Sequence, residues 1–277
     1  LDGKEIRARN FLETEGALQA MPGVDVKRYG NGNGARISIR GSGASGSVLV
    51  LVNGRPINSS QYGGVELGSL PIERVKRITV FKPPVPVWLG PGAKGGAINI
   101  ETKSSADQAE LDAETQGKPK QETSSRLKMR AGSYGALKAD ITHNVPMADG
   151  GLMLTAGAGH KDGKRPNSQR DSGSLSLHWD KETQSRTQID VNGRYYQSKH
   201  GSAGPTYNPT PDAGQRYDKT SLDMRIKGYT GQGGDYSLKG YADIVDLKDD
   251  SQNGSVSNLD VYKLGLKGDS AWTEGNG

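Results

Sequence analysis

The stretches RLKMRAG (residues 126–132) and GALKADITHN (residues 135–144) alternate apolar residues with charged or small ones. In the first stretch the apolar positions are Leu127, Met129 and Ala131. Because successive side chains of a β-strand point to opposite faces, this alternation predicts two strands, each with one apolar and one polar face. The connection between them is short, so the two strands are expected to be neighbours.

The same alternation recurs along the rest of the chain. It returns in six further segments, which begin near residues 151, 174, 187, 221, 235 and 260. Residues 124–277 are therefore predicted to hold about eight antiparallel strands. Short turns are predicted near residues 146–150, 181–185 and 230–234, and long loops at 161–172, 197–218 and 246–257. Short turns at one end and long loops at the other are typical of an outer-membrane β-barrel.

A soluble β-sandwich is the alternative that this periodicity leaves open, since its strands alternate as well. The position of the aromatic residues favours the barrel. Trp179 and Tyr195 stand near strand ends on the apolar parity, as the aromatic girdles of a membrane barrel require. The chain holds only 2 Phe and 3 Trp, which are few for the closed core of a sandwich.

The composition excludes several classes of site. Of the 277 residues 32% are hydrophobic and none is cysteine, so the chain has no disulfide and no thiolate metal ligand. The longest dense apolar run, VLVLV at residues 48–52, is far shorter than the roughly 18 residues of a membrane helix. The four histidines follow no catalytic or metal-binding spacing. We therefore predict that the protein is not an enzyme and has no metal site and no cofactor.

Residues 1–103 differ from the rest in pattern and in charge. They hold 14 basic and 8 acidic side chains, whereas the rest of the chain is close to neutral. Asn53-Gly54 after an apolar run predicts a tight turn. The unit is predicted to be a small α+β domain, and the polar residues 104–123 that follow it are predicted to be a linker. Its predicted elements are a helix at 11–20 and strands at 35–40, 47–54, 74–81 and 96–102.

Neither glycine nor basic residues in this unit indicate a nucleotide or nucleic-acid site. GNGNGAR at residues 30–36 is followed by the strand-like ISIR rather than by a helix, and it lacks a GKS or GKT ending. Few aromatic residues lie among the arginines, so stacking on bases has no support. We predict no nucleic-acid partner.

Five segments of the first unit, in this order and spacing, carry a resemblance to a known family. They are MPGVDV (21–26), ISIRG (37–41), VLVLVNGRPI (48–57), LPIERVKRITVFK (70–82) and LGPGAKGGAINIETK (89–103). This series closely resembles the plug domain of TonB-dependent outer-membrane receptors, the family that includes cobalamin and ferric-siderophore transporters. The resemblance implies an α+β plug domain at 1–103, followed at 124–277 by the first eight or so strands of an antiparallel transmembrane β-barrel.

The resemblance also implies a function and partners. The chain is expected to be the N-terminal part of a transporter in the outer membrane of a Gram-negative bacterium, which takes up a scarce solute such as a siderophore or cobalamin. The plug is expected to block the barrel and to move when the periplasmic coupling protein TonB, powered by its inner-membrane motor, pulls on it. The other expected partners are an extracellular small-molecule ligand and outer-membrane lipid.

Candidate site residues follow from the same resemblance. The outward loops of the plug are the first candidates for ligand contacts: Tyr29, Asn31, Asn33, Arg36, Asn58, Gln61, Tyr62 and Glu66. The long barrel loops supply secondary candidates: Arg165, Arg170, Tyr207 and Arg216. Three arginines are expected to face carboxylates of the barrel wall: Arg40, Arg74 and Arg77. Tyr62 and Arg36 offer stacking and charge to a planar or anionic ligand.

Two features depart from the family pattern. Thr79 stands where an acidic residue is usual, and Pro83 where a glycine is usual. Eight strands would also close into a barrel too narrow for a plug of about a hundred residues. We therefore expect the chain to be a fragment, or a further barrel-forming chain to complete the wall. A structural chain of a split barrel assembly and a plugged passive porin are the alternative functions.

Overall fold

The computed structural model describes residues 1–28, 34–41, 47–59, 63–90, 92–117, 119–230 and 233–272. Residues 1–103 form a mixed unit with two short helices, α1 and α2, and six strands. The helices are α1 (Gly3–Ala8) and α2 (Thr14–Gln19). The strands are β1 (Val24–Arg28), β2 (Ala35–Ile39), β3 (Leu49–Val52), β4 (Arg55–Pro56), β5 (Val75–Phe81) and β6 (Ala97–Thr102). Helix α2 is shorter than the predicted 11–20, and α1 was not predicted.

The core of this unit is a four-stranded sheet in the order β4-β3-β6-β5. Strands β3 and β6 run parallel and bring Val50 beside Ile98, both fully buried. The predicted turn at Asn53-Gly54 forms, with positive φ at both residues. The Asn53 amide fastens the turn to β6, because it donates to Thr102 Oγ1 at 2.8 Å and accepts from Thr102 N at 2.9 Å.

Residues 124–272 form one antiparallel sheet in which every strand pairs with its neighbours in sequence. The strands are β7 (Ser124–Gly132), β8 (Ala136–Met147), β9 (Gly150–Lys161), β10 (Arg170–Glu182), β11 (Gln188–Gly201), β12 (Gly214–Tyr229), β13 (Gly234–Asp250) and β14 (Val256–Trp272). The eight predicted strands are therefore present in the predicted order. The sheet is open in this chain, with β7 and β14 at its edges.

The polarity of this sheet is inverted relative to a soluble protein. Its exposed face is apolar and its buried face is polar. Large apolar side chains point outward, among them Leu127, Met129, Leu175, Leu222, Ile244 and Leu264. The buried positions on the other face are Asp140, Thr142, Asn144, Ser176, His178, Lys219 and Asp243. Such a sheet fits a lipid environment outside and a polar filling inside, which confirms the predicted membrane β-barrel wall.

The connections largely follow the predicted alternation. Residues 148–149, 183–187 and 230–233 connect strands at one end of the sheet, the short-turn end. Residues 162–169 and 202–213 form longer loops at the opposite end, the long-loop end. The third long loop, predicted at 246–257, is reduced to residues 251–255. The prediction was wrong there because β13 and β14 continue their ladder up to the pair Asp250 and Val256.

The polar segment predicted as a linker at 104–123 contains helix α3 (Ser105–Gln116). Ser104 and Asp107 form a capping box at its start, and Gly117 ends it in the left-handed conformation. The helix packs on the inner face of the wall through polar contacts: Ser105 Oγ donates to Asn144 Oδ1 at 2.8 Å, and Arg126 pairs with Asp112 at 2.7 Å. The surface beneath helix α3 is itself polar. This explains why the sequence of the helix shows no apolar stripe.

Within the described ranges no helix is long and apolar enough to cross a membrane.

We expect Gly96→Ala to destabilise the first unit by about 2 kcal/mol or more. Gly96 has φ +118°, and a Cβ there would lie 2.7 Å from Ile39 Cδ1 and 2.8 Å from the Phe81 carbonyl oxygen. Gly193→Ala is the matched control, since nothing lies within 4 Å of its added carbon. Urea unfolding of the complete protein measures the difference. Equal unfolding midpoints for the two variants would contradict the close approach at Gly96.

Candidate functional site

Arg55 forms the most buried ionic contact between the first unit, called the plug from here on, and the sheet, called the wall. It opens β4, directly after the Asn53-Gly54 turn, and its side chain is 5% exposed. Its Nη1 donates to Asp223 Oδ1 at 2.5 Å, and its Nη2 pairs with Asp243. Burial lowers the pKa of Arg55, but the two carboxylates outweigh that effect and raise it. Its charge is therefore fixed at every physiological pH.

Wall residues also contact the two carboxylates and the guanidinium of this site. Asp223 also accepts a hydrogen bond from Arg194 Nη2 at 2.5 Å, and Asp243 accepts one from Ser221 Oγ at 2.6 Å. The guanidinium of Arg55 lies 4.5 Å from the ring centroid of Tyr241. We call Arg55, Asp223 and Asp243 the arginine clamp.

A second clamp has the opposite polarity. Glu73 of the plug contacts two cations of β7: its carboxylate pairs with Arg130, and lies 3.3 Å from Lys128 Nζ. Arg130 also pairs with the buried Asp140 of β8. Burial raises the pKa of Glu73, but the hydrogen bond from Arg130 and the nearby cations hold the pKa below its ordinary value. We call Glu73, Lys128 and Arg130 the glutamate clamp.

Glu66 makes a third contact, near the long-loop end of the wall. It is buried, and its Oε1 accepts a hydrogen bond from Gly68 N at 2.7 Å and lies 3.5 Å from Arg170 Nη2. The same Nη2 donates to the Tyr196 hydroxyl at 2.7 Å. Two predicted ligand residues, Glu66 and Arg170, are thus brought together, and the structure uses them to join the plug to the wall.

A cavity of about 1030 Å³ separates the plug from the wall beside the arginine clamp. It reaches the short-turn end, where Met147, Asp149 and Thr183 line it. Its plug side includes the Asn53-Gly54 turn and Arg55. Charged and polar side chains line the wall side: His178, Asp180, Asp190, Asn192, Arg194, Asp223, Arg225 and Lys239. The interface at this end is therefore a polar space rather than a packed core.

The other plug residues predicted to bind ligand have different positions. Five lie outside the described residues: Tyr29, Asn31, Asn33, Gln61 and Tyr62. Arg36 is half-buried on β2, opposite Lys27 of β1. Asn58 has a local structural role, because its side chain accepts from Val50 N at 2.8 Å and donates to Val48 O at 3.0 Å.

The remaining loop candidates lie at the long-loop end. Arg165 donates to the carbonyl oxygens of Gly204 at 2.7 Å and Ala203 at 3.3 Å, so it ties the two longest loops together. Tyr207, in the second of these loops, is 90% exposed. Arg216 pairs with Asp218 at 2.7 Å and is exposed. Tyr207 is therefore almost completely open to solvent at the long-loop end.

The three arginines expected to face wall carboxylates do not make those contacts in the described part of the chain. Arg40 and Arg77 are exposed, at the end of β2 and on β5. Arg74 is buried, but the charge beside it is Arg194, and burial together with that cation lowers the pKa of Arg74. Arg55 has the role instead. The sequence analysis did not single out Arg55 for this role.

Comparison with known proteins agrees with this architecture. A family model described as TonB-dependent Receptor Plug Domain matches residues 1–97. The vitamin B12 transporter BtuB of Vibrio vulnificus is 36% identical over 110 residues, a match that covers 39% of this chain and 18% of that protein.

Two solved structures share the fold over nearly the whole chain. The siderophore receptor PirA of Acinetobacter baumannii has a TM-score of 0.70 at 16% identity, covering 97% of this chain and 43% of its own. The unliganded ferric citrate transporter FecA has a TM-score of 0.73 at 14% identity, covering 96% and 42%. The chain therefore spans less than half the length of these proteins.

A plug seated on the polar face of an antiparallel membrane sheet defines the class as a plugged outer-membrane β-barrel, of which this chain holds the plug and part of the wall. Residues 1–97 match the plug domain of TonB-dependent receptors, and the chain as a whole has the fold of the plug and part of the wall of solved outer-membrane receptors.

We expect Arg55→Met to destabilise the seated plug by about 3–5 kcal/mol, because the buried Asp243 loses its ion-pair partner and Asp223 keeps only Arg194. Arg77→Met, at an exposed arginine, is the matched control and is expected to have little effect. In the double variant Arg55→Met/Asp243→Asn the stability of the seated plug is partly recovered, since one of the two carboxylates no longer carries a charge. Amide exchange of residues 49–57 in the complete protein measures all three. Equal exchange in the two single variants would contradict the clamp.

The glutamate clamp predicts a loss of stability in acid. The pKa of Glu73 in the folded protein lies below its ordinary value of 4.5, so its contribution is complete above that value and is lost as the pH falls through the folded pKa. Unfolding midpoints between pH 3 and 7 should fall less steeply in Glu73→Gln than in the parent protein. Glu110→Gln, at an exposed carboxylate of α3, should keep the parent's slope. Parallel curves for all three proteins would rule out this role of Glu73.

Proposed function

We propose that the chain is the N-terminal part of a TonB-dependent transporter that takes up a scarce solute, such as a siderophore or cobalamin, across the outer membrane. The observation that carries the proposal is the polar interface between plug and wall. The plug has its own apolar core, in which Val50, Ile98 and Ile100 are fully buried. Its contacts to the wall are ion pairs and a polar cavity.

Such an interface suits a plug that moves and returns. Separating a dry apolar interface exposes hydrocarbon to water. When an ion pair separates in a hydrated lumen, each charged group instead gains water in place of its partner. The net contribution of a buried ion pair is small, while its geometry is specific. The plug is therefore held in one register, and movement requires force applied at a few clamps. In this proposal TonB and its inner-membrane motor supply that force.

The position of the cavity indicates the direction in which a solute would pass. It reaches the short-turn end, which is the periplasmic end in outer-membrane barrels. The arginine clamp borders it, so release of Arg55 would widen the space between plug and wall toward the long-loop end. A solute bound outside would then pass along the wall, with the apolar core of the plug still folded.

Only the descriptions of the similar proteins indicate which class of solute is taken up. BtuB is described as a vitamin B12 transporter, PirA as a siderophore receptor and FecA as a ferric citrate transporter. The proposed ligand contacts are the outward plug loops around Tyr29 to Arg36 and Asn58 to Glu66, together with the long wall loops around Tyr207. The other proposed partners are the extracellular solute and outer-membrane lipid.

Uptake by cells tests the proposal. The complete protein is expressed in a bacterium that lacks its own receptors, and uptake of labelled cobalamin and of several ferric siderophores is measured with and without a functional TonB system. We expect uptake of one solute class that depends on TonB. Uptake that persists without TonB would favour a passive pore, and binding of none of the solutes would favour a structural role in a barrel assembly.

Conductance separates the transporter from the passive porin. We expect the complete protein in a planar bilayer to be closed at rest, because the plug occupies the polar face of the wall. Removal of residues 1–103 is expected to produce large open channels. A resting conductance that is the same with and without the plug would contradict a plugged transporter.

A further inference from the structure

A row of three cations crosses the wall beside the large cavity, close to the short-turn end. Arg225 of β12 stands directly opposite Lys239 of β13, and Lys239 stands directly opposite Lys267 of β14. Arg225 and Lys239 line the cavity. Side chains of directly opposite residues start about 5 Å apart, and like charges in that arrangement destabilise a sheet. We call Arg225, Lys239 and Lys267 the cation row.

The outer two members of the row have carboxylates beside them. Arg225 Nη2 lies 2.8 Å from Asp190 Oδ2, and Lys267 Nζ lies 3.7 Å from Asp269 Oδ1. Lys239, at the centre, makes no ion pair and no hydrogen bond with any described residue. The charges that act on it are the two cations of the row and the carboxylate of Asp269, which already has Lys267 beside it. Like charges therefore outnumber opposite charges around Lys239.

Lys239 differs in this respect from the other cations of the cavity. Four of them form ion pairs with carboxylates: Arg55, Lys76, Arg194 and Arg225. Lys181 forms none among the described residues, but it is exposed. Lys239 is half-buried, and the plug lies against it, since a Cβ on Gly54 would be 3.0 Å from Lys239 Nζ. Within the described cavity lining, Lys239 thus combines partial burial with the lack of an ion pair.

The donors and the space at the row suit an oxyanion. Arg225 uses Nε and Nη2 for Asp190, which leaves the N–H groups of Nη1 for a further acceptor. The Lys239 ammonium has three donors on the adjacent strand. A guanidinium and an ammonium are the groups that bind carboxylates and phosphates in proteins. The cavity of about 1030 Å³ holds such a group with room to spare.

We propose that the cation row is a binding site for an oxyanion, a carboxylate or phosphate group held between the Lys239 ammonium and Arg225 Nη1. An oxyanion supplies the negative charge that the row lacks, whereas water cannot. The site is reached from the short-turn end, which is the periplasmic end of an outer-membrane barrel. A transported solute that carries such a group would meet the row as it leaves the plug. This last step rests on the transport proposed above, and the site itself does not.

Crystals of the complete protein soaked in tungstate test the site directly, because tungstate is a tetrahedral oxyanion with a strong anomalous signal. We expect a peak in the cavity within hydrogen-bonding distance of Lys239 Nζ and Arg225 Nη1. The peak should be absent from Lys239→Met and present in Lys199→Met, which removes an exposed lysine near the long-loop end of β11. A parent protein without a peak at the row, or a Lys239→Met protein that keeps it, would overturn the proposal.

Calorimetric titration of the complete protein with inorganic phosphate measures the affinity in solution. We expect Lys239→Met to weaken phosphate binding about tenfold or more, because a charge-assisted hydrogen bond is lost. Lys199→Met should keep the affinity of the parent protein. Equal phosphate affinities in the parent protein and in Lys239→Met would count against the site.

Stability in a buffer without oxyanions separates a ligand site from a structural role of Lys239. Lys239→Met removes the central like charge of the row, so its thermal unfolding midpoint should equal or exceed that of the parent protein. A clearly lower midpoint, or a variant that does not fold, would show that Lys239 stabilises the wall itself and would contradict the proposal.

Uptake measurements distinguish two sources of the oxyanion. If the group belongs to the transported solute, Lys239→Met lowers the rate of uptake while binding of the solute at the cell surface is unchanged. If the ligand is free phosphate of the periplasm, uptake is unchanged while phosphate binding is lost. Both results support the site. The tungstate and phosphate measurements require no transport, so their failure overturns the site and leaves the proposed function standing.

Discussion

Charged side chains on the inner face of a membrane sheet must find partners inside the barrel, because the outer face is given to lipid. In this chain Asp140, Asp223 and Asp243 point inward and are largely removed from water. A carboxylate in that position is costly unless it is paired. The wall itself pairs Asp140 through Arg130 and Asp223 through Arg194, whereas the ion pair of Asp243 comes from Arg55 of the plug. The position of the plug follows from this need.

The two clamps have opposite polarity, and this fixes the orientation of the plug. Arg55 meets the carboxylates of β12 and β13, and Glu73 meets the cations of β7. A plug turned within the wall would bring Arg55 toward Lys128 and Arg130, and Glu73 toward Asp223. Like charges would then face each other, at a cost of several kcal/mol. Charge complementarity thus gives the interface its specificity, even though each ion pair adds little net stability.

The wall could be predicted from the sequence more completely than the site. Alternation along each strand is a local signal, so β7 to β14 were found, as was the turn at Asn53-Gly54. Helix α3 was missed because it packs on a polar surface and so has no apolar stripe. Arg55 and Glu73 were missed as contacts because their partners lie far away in sequence: 168 residues separate Arg55 from Asp223. Nothing in the spacing of single residues records which parts of the wall the plug faces.

Two kinds of contact hold the plug, and under the proposed function the contrast between them explains how it would move without unfolding. Its interior is a dry apolar cluster that includes Leu18, Val50 and Ile100, and opening it would expose hydrocarbon to water. Its boundary with the wall includes ion pairs and a polar cavity. Water that enters from the cavity can solvate Arg55 and Asp223 as they separate, so force on the plug separates the clamps before it disrupts the core. Under the proposed function, a solute path along the wall therefore requires the boundary beside the cavity to open while Val50 and Ile100 stay buried.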